Sequence, residues 1–135
     1  MNQLLEVANI SVSISRNASV VYDFVVDGSN LPRWASGLGS AVRPDADAWI
    51  ADGPIGRVAV RFAHRNDLGV LDHDVRLPSG AVVHNPMRVV PNGSGCTVTF
   101  TLMRLPGGSE EKFRDDAQWV ERDLTRLKQL LEAAQ

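Results

Sequence analysis

Two of the three histidines in this 135-residue chain, His64 and His73, occupy segments that alternate apolar and polar residues, and they are the groups best placed to do chemistry. Gly56-Arg57-Val58-Ala59-Val60-Arg61-Phe62-Ala63-His64-Arg65 predicts a strand over 56–65 with Val58, Val60, Phe62 and His64 on one face. Gly69-Val70-Leu71-Asp72-His73-Asp74-Val75-Arg76-Leu77 predicts a second over 69–77, with Leu71, His73, Val75 and Leu77 inward and Asp72, Asp74 and Arg76 outward. A four-residue turn, Asn66 to Gly69, pairs Phe62 with His73 and keeps both apolar faces on one side. A three-residue turn would set His64 against Asp72 and either expose Leu71 and Val75 or bury the acids. The hydrophobic pattern selects the first register, in which His64 and His73 are diagonal neighbours with Cβ atoms ~7 Å apart. Two inward imidazoles could transfer a proton or hydrogen-bond a polar group on an apolar ligand, which makes His64 and His73 the candidate catalytic pair. A core histidine satisfied by a carbonyl or a tyrosine is the plainer alternative for each.

The other reactive side chains are less well placed. Asp72 and Asp74 flank His73 but point away from it, toward solvent or toward Arg61, Arg65 or Arg88. Asp116 could enter the interior from the C-terminal helix or pair with Lys112 at i,i+4 on its surface. His84 precedes Pro86, whose missing donor suggests a bulge, so its facing cannot be read. With neither Cys-x-x-Cys nor His-Glu-x-x-His spacing, no metal site is expected. No Gly-x-Gly-x-x-Gly opening a helix, P-loop or nucleophile elbow points to a nucleotide or a serine nucleophile, and no cofactor is expected. Cys96 shares the parity of Val98, Phe100 and Leu102, a packing position. Asn17-Ala18-Ser19 reads as a helix cap more readily than as a glycosylation sequon.

The elements that must position these groups form one continuous domain over 1–135 without repeats. Ala8, Ile10, Val12 and Ile14 alternate with Asn9, Ser11, Ser13 and Ser15 in a first strand. Asn17 can cap a helix with Val20, Val21, Phe24 and Val25 on one face, stopped at Gly28; Ser29 can cap a shorter helix with Pro32 in its first turn, closing at Trp34. From Leu38 the turns Arg43-Pro44-Asp45, Asp52-Gly53-Pro54, Asn66-Asp67-Leu68-Gly69, Pro78-Ser79-Gly80 and Asn92-Gly93-Ser94-Gly95 divide an antiparallel meander. Its strands are predicted near 38–43, 46–51, 56–65, 69–77, 81–91 and 95–105, making seven with the first. After Gly107-Gly108, Ser109 can cap a helix of about 24 residues, ~36 Å long, whose stripe Phe113, Ala117, Val120, Leu124, Leu127 and Leu131 needs the sheet to cover it. Trp34, Trp49 and Trp119 are divided between core anchor and pocket wall, with Trp119 off the stripe.

Composition narrows the function classes. At 44% hydrophobic and 22% charged residues, with a formal charge of −2, the chain has no basic field for nucleic acid or anionic membrane. No stretch approaches the ~18 apolar residues of a membrane span, so no membrane insertion is expected. The opening residues lack the charged and apolar regions of a secretory signal, which predicts a cytoplasmic protein.

The chain resembles the START-like, or Bet v 1-like, helix-grip superfamily (SRPBCC), and within it the bacterial polyketide cyclase/dehydrase-like proteins. The residues that carry the resemblance are Ile10-Ser-Val-Ser-Ile-Ser-Arg-Asn-Ala-Ser-Val-Val-Tyr-Asp-Phe24, Leu31-Pro-Arg-Trp34, Asn85-Pro-Met-Arg-Val-Val-Pro-Asn92, Val98-Thr-Phe-Thr-Leu102 and Asp123-Leu-Thr-Arg-Leu-Lys-Gln-Leu-Leu131. It implies an α+β helix-grip fold: a curved seven-stranded antiparallel sheet, two short helices and a long C-terminal helix enclosing a cavity for a small hydrophobic molecule. The superfamily has no universal catalytic motif, so only the pocket location carries over. Here that is Trp34, Phe62, His64, Leu71, His73, Val75, Val89, Val98, Phe100, Phe113, Asp116, Ala117 and Val120.

Two function classes follow. One is a binding or cyclase/dehydratase-like protein, with cofactor-free acid–base chemistry if it is an enzyme, and it requires a real cavity. The other is a protein-interaction or chaperone-type module whose interior is filled and whose working surface lies outside, with a large exposed apolar patch. Monomer and homodimer are both compatible with either.

Overall fold

The computed structural model describes residues 4–38, 41–54 and 56–134. Among the described residues, eight strands and three α-helices follow one another in the order β1 (Val7–Ile14), α1 (Ala18–Val26), α2 (Leu31–Trp34), β2 (Val42–Asp45), β3 (Ala48–Gly53), β4 (Gly56–Phe62), β5 (His73–Arg76), β6 (Val82–Asn85), β7 (Met87–Asn92), β8 (Gly95–Met103) and α3 (Glu110–Ala133). Short 3₁₀ turns at Gly28–Asn30 and Ser36–Leu38 flank α2. Residues 39 and 40 of the strand expected over 38–43 lie outside the described residues; β2 starts at Val42, and Leu38 closes a 3₁₀ turn.

The sheet is not a single seven-stranded one. It divides into a three-stranded sheet of order β1-β8-β7 and a five-stranded sheet of order β2-β3-β4-β5-β6, every pairing antiparallel. The division falls at Pro86, where the strand expected over 81–91 breaks. Val82–Asn85 pairs with β5, Met87–Asn92 pairs with β8, and a proline between them cannot donate to either ladder. The strand expected over 69–77 divides as well. Its first part bridges to β7 through Leu71 N to Met87 O (2.8 Å) and Val89 N to Gly69 O (2.9 Å), and its second part, β5, lies between β4 and β6. The two sheets therefore meet along a seam that the 69–73 segment crosses.

Local chemistry sets the helix ends. Asn17 Oδ1 accepts from Ser19 N at the start of α1. Asp27, rather than Ser29, caps the turn leading into α2, its Oδ1 accepting from Ser29 N and Oγ. Ser109 Oγ accepts from Lys112 N at the start of α3, whose first turn carries Glu110 and Glu111 against the positive end of the helix dipole. Leu124, Leu127 and Leu131 of α3 are buried with Ile14, Val89, Val98, Leu71 and Met87, and α3 packs chiefly along β1, then against α2 and β8. Burying side chains of this size contributes about 1.5–3 kcal/mol each. The end of α3 is pinned to β1 by Arg16 Nη1 to Leu131 O (2.6 Å), Lys128 Nζ to Ser13 O (2.7 Å) and Ser15 N to Glu132 Oε2 (2.9 Å).

Candidate functional site

His73 is the only buried polar or charged residue among the described residues, 8% exposed. Phe62 stands directly opposite it on β4, as the four-residue turn requires, with ring centroids 5.2 Å apart; Phe100 of β8 meets the imidazole edge-on at 5.8 Å. His73 thus touches a ring from each sheet across the seam. Its Nδ1 lies 3.0 Å from Leu71 O, and because a carbonyl only accepts, Nδ1 carries the proton in the neutral ring. Nε2 is then a lone-pair acceptor, and no described residue engages it. Burial holds the imidazole pKa below its ordinary 6.5, against the opposing pull of the Leu71 hydrogen bond, so the ring is neutral at pH 7.

A pocket of about 520 Å³ opens beside this ring. Val26, Trp49, Phe62, Ala63 and His73 supply its apolar and aromatic lining, and Asp47, Arg61, His64, Asp72, Asp74 and His84 its polar lining. Trp49 reaches it by lying on the backbone of Gly28, where a Cβ would fall 2.2 Å from the indole. Periodicity reads Gly28 as a helix stop and gives no sign of this contact. Val26, on the last turn of α1, was likewise invisible as a lining residue, because nothing local distinguishes it from Val25, which is buried in the core.

His64 departs from its expected inward orientation. β4 ends at Phe62, so alternation no longer governs the chain at 64, and the side chain is exposed at the pocket. The connection that follows is organised by Asn66, whose Oδ1 accepts from Leu68 N and Val70 N and whose Nδ2 donates to His64 O and Val70 O. Tyr22 OH accepts from Asn66 N at 2.8 Å, fixing this loop to α1.

The remaining sequence-derived positions are dispersed. Trp34, Leu71, Val89, Val98 and Phe100 are core residues, Val75 packs against that core half-buried, and α3 contributes nothing to the lining of this pocket. Phe113 is buried, Ala117 and Val120 are half-buried, and Asp116 lies on the helix surface with Lys112 Nζ at 3.1 Å. Cys96 is buried opposite Ile14, and desolvation raises its thiol pKa, the reverse of what a nucleophile needs. His84 faces Asp74 across β5 and β6, Nδ1 to Oδ1 2.6 Å, with both side chains about half exposed. Trp119 is exposed, packs near Gly37 and carries Arg122 over its ring at 4.9 Å.

Asp72, the carboxylate next to the buried histidine, has a structural task. Its Oδ1 accepts from Met87 N, the first donor after the proline break, and its two oxygens take Arg88 bidentately. The Arg88 hydrogen bonds hold its pKa below the ordinary value, ahead of the opposing effect of burial. Trp34 Nε1 is buried with no acceptor among the described residues, which costs about 1–3 kcal/mol for an unmade hydrogen bond.

Comparison with known proteins fits this geometry. Residues 7–134 match the family described as polyketide cyclase / dehydrase and lipid transport. The chain belongs to that family. Its fold is shared at low identity by several solved structures. XoxI from Bacillus cereus is 14% identical over 97% of this chain and 99% of its own, with a TM-score of 0.75. A START superfamily protein from Mycobacterium smegmatis is 13% identical over 96% and 99%, TM-score 0.73. DynU16, from the dynemicin biosynthetic locus, is 17% identical over 96% of this chain with a TM-score of 0.72, and this chain spans about half, 48%, of that protein. A comparison with curated protein sequences gives no match. The family member described here has the α+β helix-grip architecture, with its sheet divided in two. No helix among the described residues is long and apolar enough to cross a membrane.

Proposed function

We propose that this protein binds a small hydrophobic molecule in the pocket beside His73, with His73 Nε2 accepting a hydrogen bond from a hydroxyl or N–H of the ligand. The observation that carries the reading is a neutral, buried imidazole whose Nδ1 is committed to Leu71 O and whose Nε2 is free, set between two phenylalanines at the edge of a pocket. A pocket of about 520 Å³ suits a ligand of small-molecule size. DynU16 comes from a locus for biosynthesis of a natural product, and a molecule of that kind is a natural first candidate here too. His73 is the candidate catalytic group if the bound molecule reacts, since a neutral Nε2 can take a proton.

Native mass spectrometry of the protein purified from its own host tests the reading, followed by titration of whatever co-purifies. His73→Phe is expected to weaken binding about five- to tenfold, the value of one buried hydrogen bond, and His64→Phe to leave it within about twofold. No co-purifying molecule, together with an unchanged melting temperature across a library of apolar compounds, would leave the filled-interior interaction module as the better account.

A further inference from the structure

Two hydrogen bonds tell which way the backbone of β1 faces. Glu6 O accepts from Arg104 N, one residue past β8, at 2.8 Å, whereas Ser13 O accepts from Lys128 Nζ at 2.7 Å, on the side away from that ladder. In an antiparallel pair the direction alternates residue by residue, so Ala8, Ile10, Val12 and Ile14 bond β8, and Val7, Asn9, Ser11 and Ser13 turn N–H and C=O outward. Lys128 closes this outer edge at Ser13 and Glu132 closes it at Ser15 N. At Val7, Asn9 and Ser11 no described residue bonds the outward backbone groups.

The other sheet edges among the described residues carry guards against pairing with a further strand. β2 has Arg43, Pro44 and Asp45, β6 is four residues long and runs into Pro86, and β7 is covered by the 69–71 segment. β1 has eight residues in unbroken register with β8 and contains no charged residue, proline or glycine. Its three open residues are symmetric about Asn9, and a symmetric edge is complementary to a second copy of itself.

We propose that two copies of this chain associate through β1, antiparallel about a two-fold axis at Asn9. Val7 then faces the partner's Ser11 and Asn9 faces the partner's Asn9, each pair exchanging both of its N–H···O bonds, and the three-stranded sheet continues from one copy into the other. Residues directly opposite share a face, so half-buried Ala8 meets the partner's Ile10 on the inner side. On the outer side Val7, 50% exposed, gains cover from the partner's Ser11, and no like charges are opposed. Moving the axis to Ser11 would require Ser13 O, which Lys128 already serves. The contact is small, which makes the dimer a weak one. It is independent of the pocket beside His73.

Sedimentation velocity from about 10 µM to about 1 mM covers the range of weak association. Ser11→Pro removes an outward N–H that the β8 ladder does not use, a position where an edge strand tolerates proline. Asn9→Lys sets two ammonium groups against each other across the axis, and Asn9→Asp two carboxylates. The average mass of the wild type is expected to rise toward that of a dimer, and each variant alone to associate at least about threefold more weakly. An equimolar mixture of Asn9→Lys and Asn9→Asp is expected to regain association, because the axis then joins opposite charges. Should Ser11→Pro not fold, the charge variants decide alone. A wild type that stays monomeric to about 1 mM overturns the proposal, whether or not another protein takes the edge. A dimer that neither the single charges weaken nor the mixture restores overturns it too, since the contact then lies elsewhere.

Discussion

Asp72 holds Arg88 with both carboxylate oxygens, Oδ1 accepting from Nε and Oδ2 from Nη2, each at 2.9 Å. The pair spans the seam between the two sheets, and the same Oδ1 accepts from Met87 N, which the ladder leaves unserved after Pro86. A carboxylate beside a buried histidine invites a catalytic reading. Here it clips the two sheets together while the imidazole faces inward.

Asp72→Asn keeps an acceptor for Met87 N and removes the charge. Because Arg88 is about half exposed, solvent screens the pair, and the loss is expected at about 1 kcal/mol. Asp72→Ala also strands the Met87 N–H and is expected to cost about 2–3 kcal/mol. Since the folded pKa of Asp72 is depressed below 3.8, its contribution is full above the unfolded value and disappears as pH falls through the folded one. Urea unfolding of wild type and Asp72→Asn should show a constant gap above about pH 5 that closes in stronger acid; a gap independent of pH would rule out the ionised clip.

His73 gives a slope of the same sign in a higher pH range. Its folded pKa lies below the unfolded 6.5, so the unfolded chain binds the extra proton first, and stability falls as pH drops below about 6.5. The slope approaches about 1.4 kcal/mol per pH unit for one proton. His73→Phe is expected to lie within about 1 kcal/mol of wild type at pH 7 and to lack this component between pH 6.5 and 5. Unfolding curves at a series of pH values measure it, and an unchanged slope in the variant assigns the acid sensitivity to another group.

Gly69→Ala tests the bridge from the 69–71 segment to β7. Gly69 has φ +72°, and a Cβ there would stand 2.0 Å from Val89 O, the backbone of the strand it pairs with. Neither strain nor clash can relax without breaking Val89 N to Gly69 O, so a loss of about 3 kcal/mol or more is expected in thermal or urea unfolding. A loss below about 1 kcal/mol would mean that the seam does not depend on this contact.

Asp123→Ala removes the acceptor that α3 offers to Ser36. Burial raises the Asp123 carboxyl pKa, and the Ser36 hydrogen bonds offset part of that effect. The substitution is expected to cost about 1 kcal/mol globally, as for loss of a helix cap, and to speed amide exchange at Ser36 and Leu38 more than at core strands. Equal acceleration everywhere would show that the contact has no local role.

Period and capping in the sequence determined the long elements. Alternation from Ala8 to Ile14, the Asn17 and Ser109 caps and the Phe113-to-Leu131 stripe are local signals, each complete within its own segment, and they suffice for β1, α1 and α3. The turn at Asn66 to Gly69 likewise carried enough pattern to pair Phe62 with His73. What only the tertiary structure decided lies where contacts join distant residues. Pro86 suggested a bulge within one strand, but the chain breaks there, and which side joined which sheet depended on β5 and β8 competing for the two halves. His64 obeyed alternation only as far as its strand lasted, and the strand stopped two residues earlier because Asn66 and Tyr22 gave the loop backbone other partners. Gly28 beneath Trp49, Asp72 on Arg88 and the unpartnered indole of Trp34 share one cause: each is set by packing between segments 16 or more residues apart or by the absence of it, a relationship that no periodicity within one segment can encode.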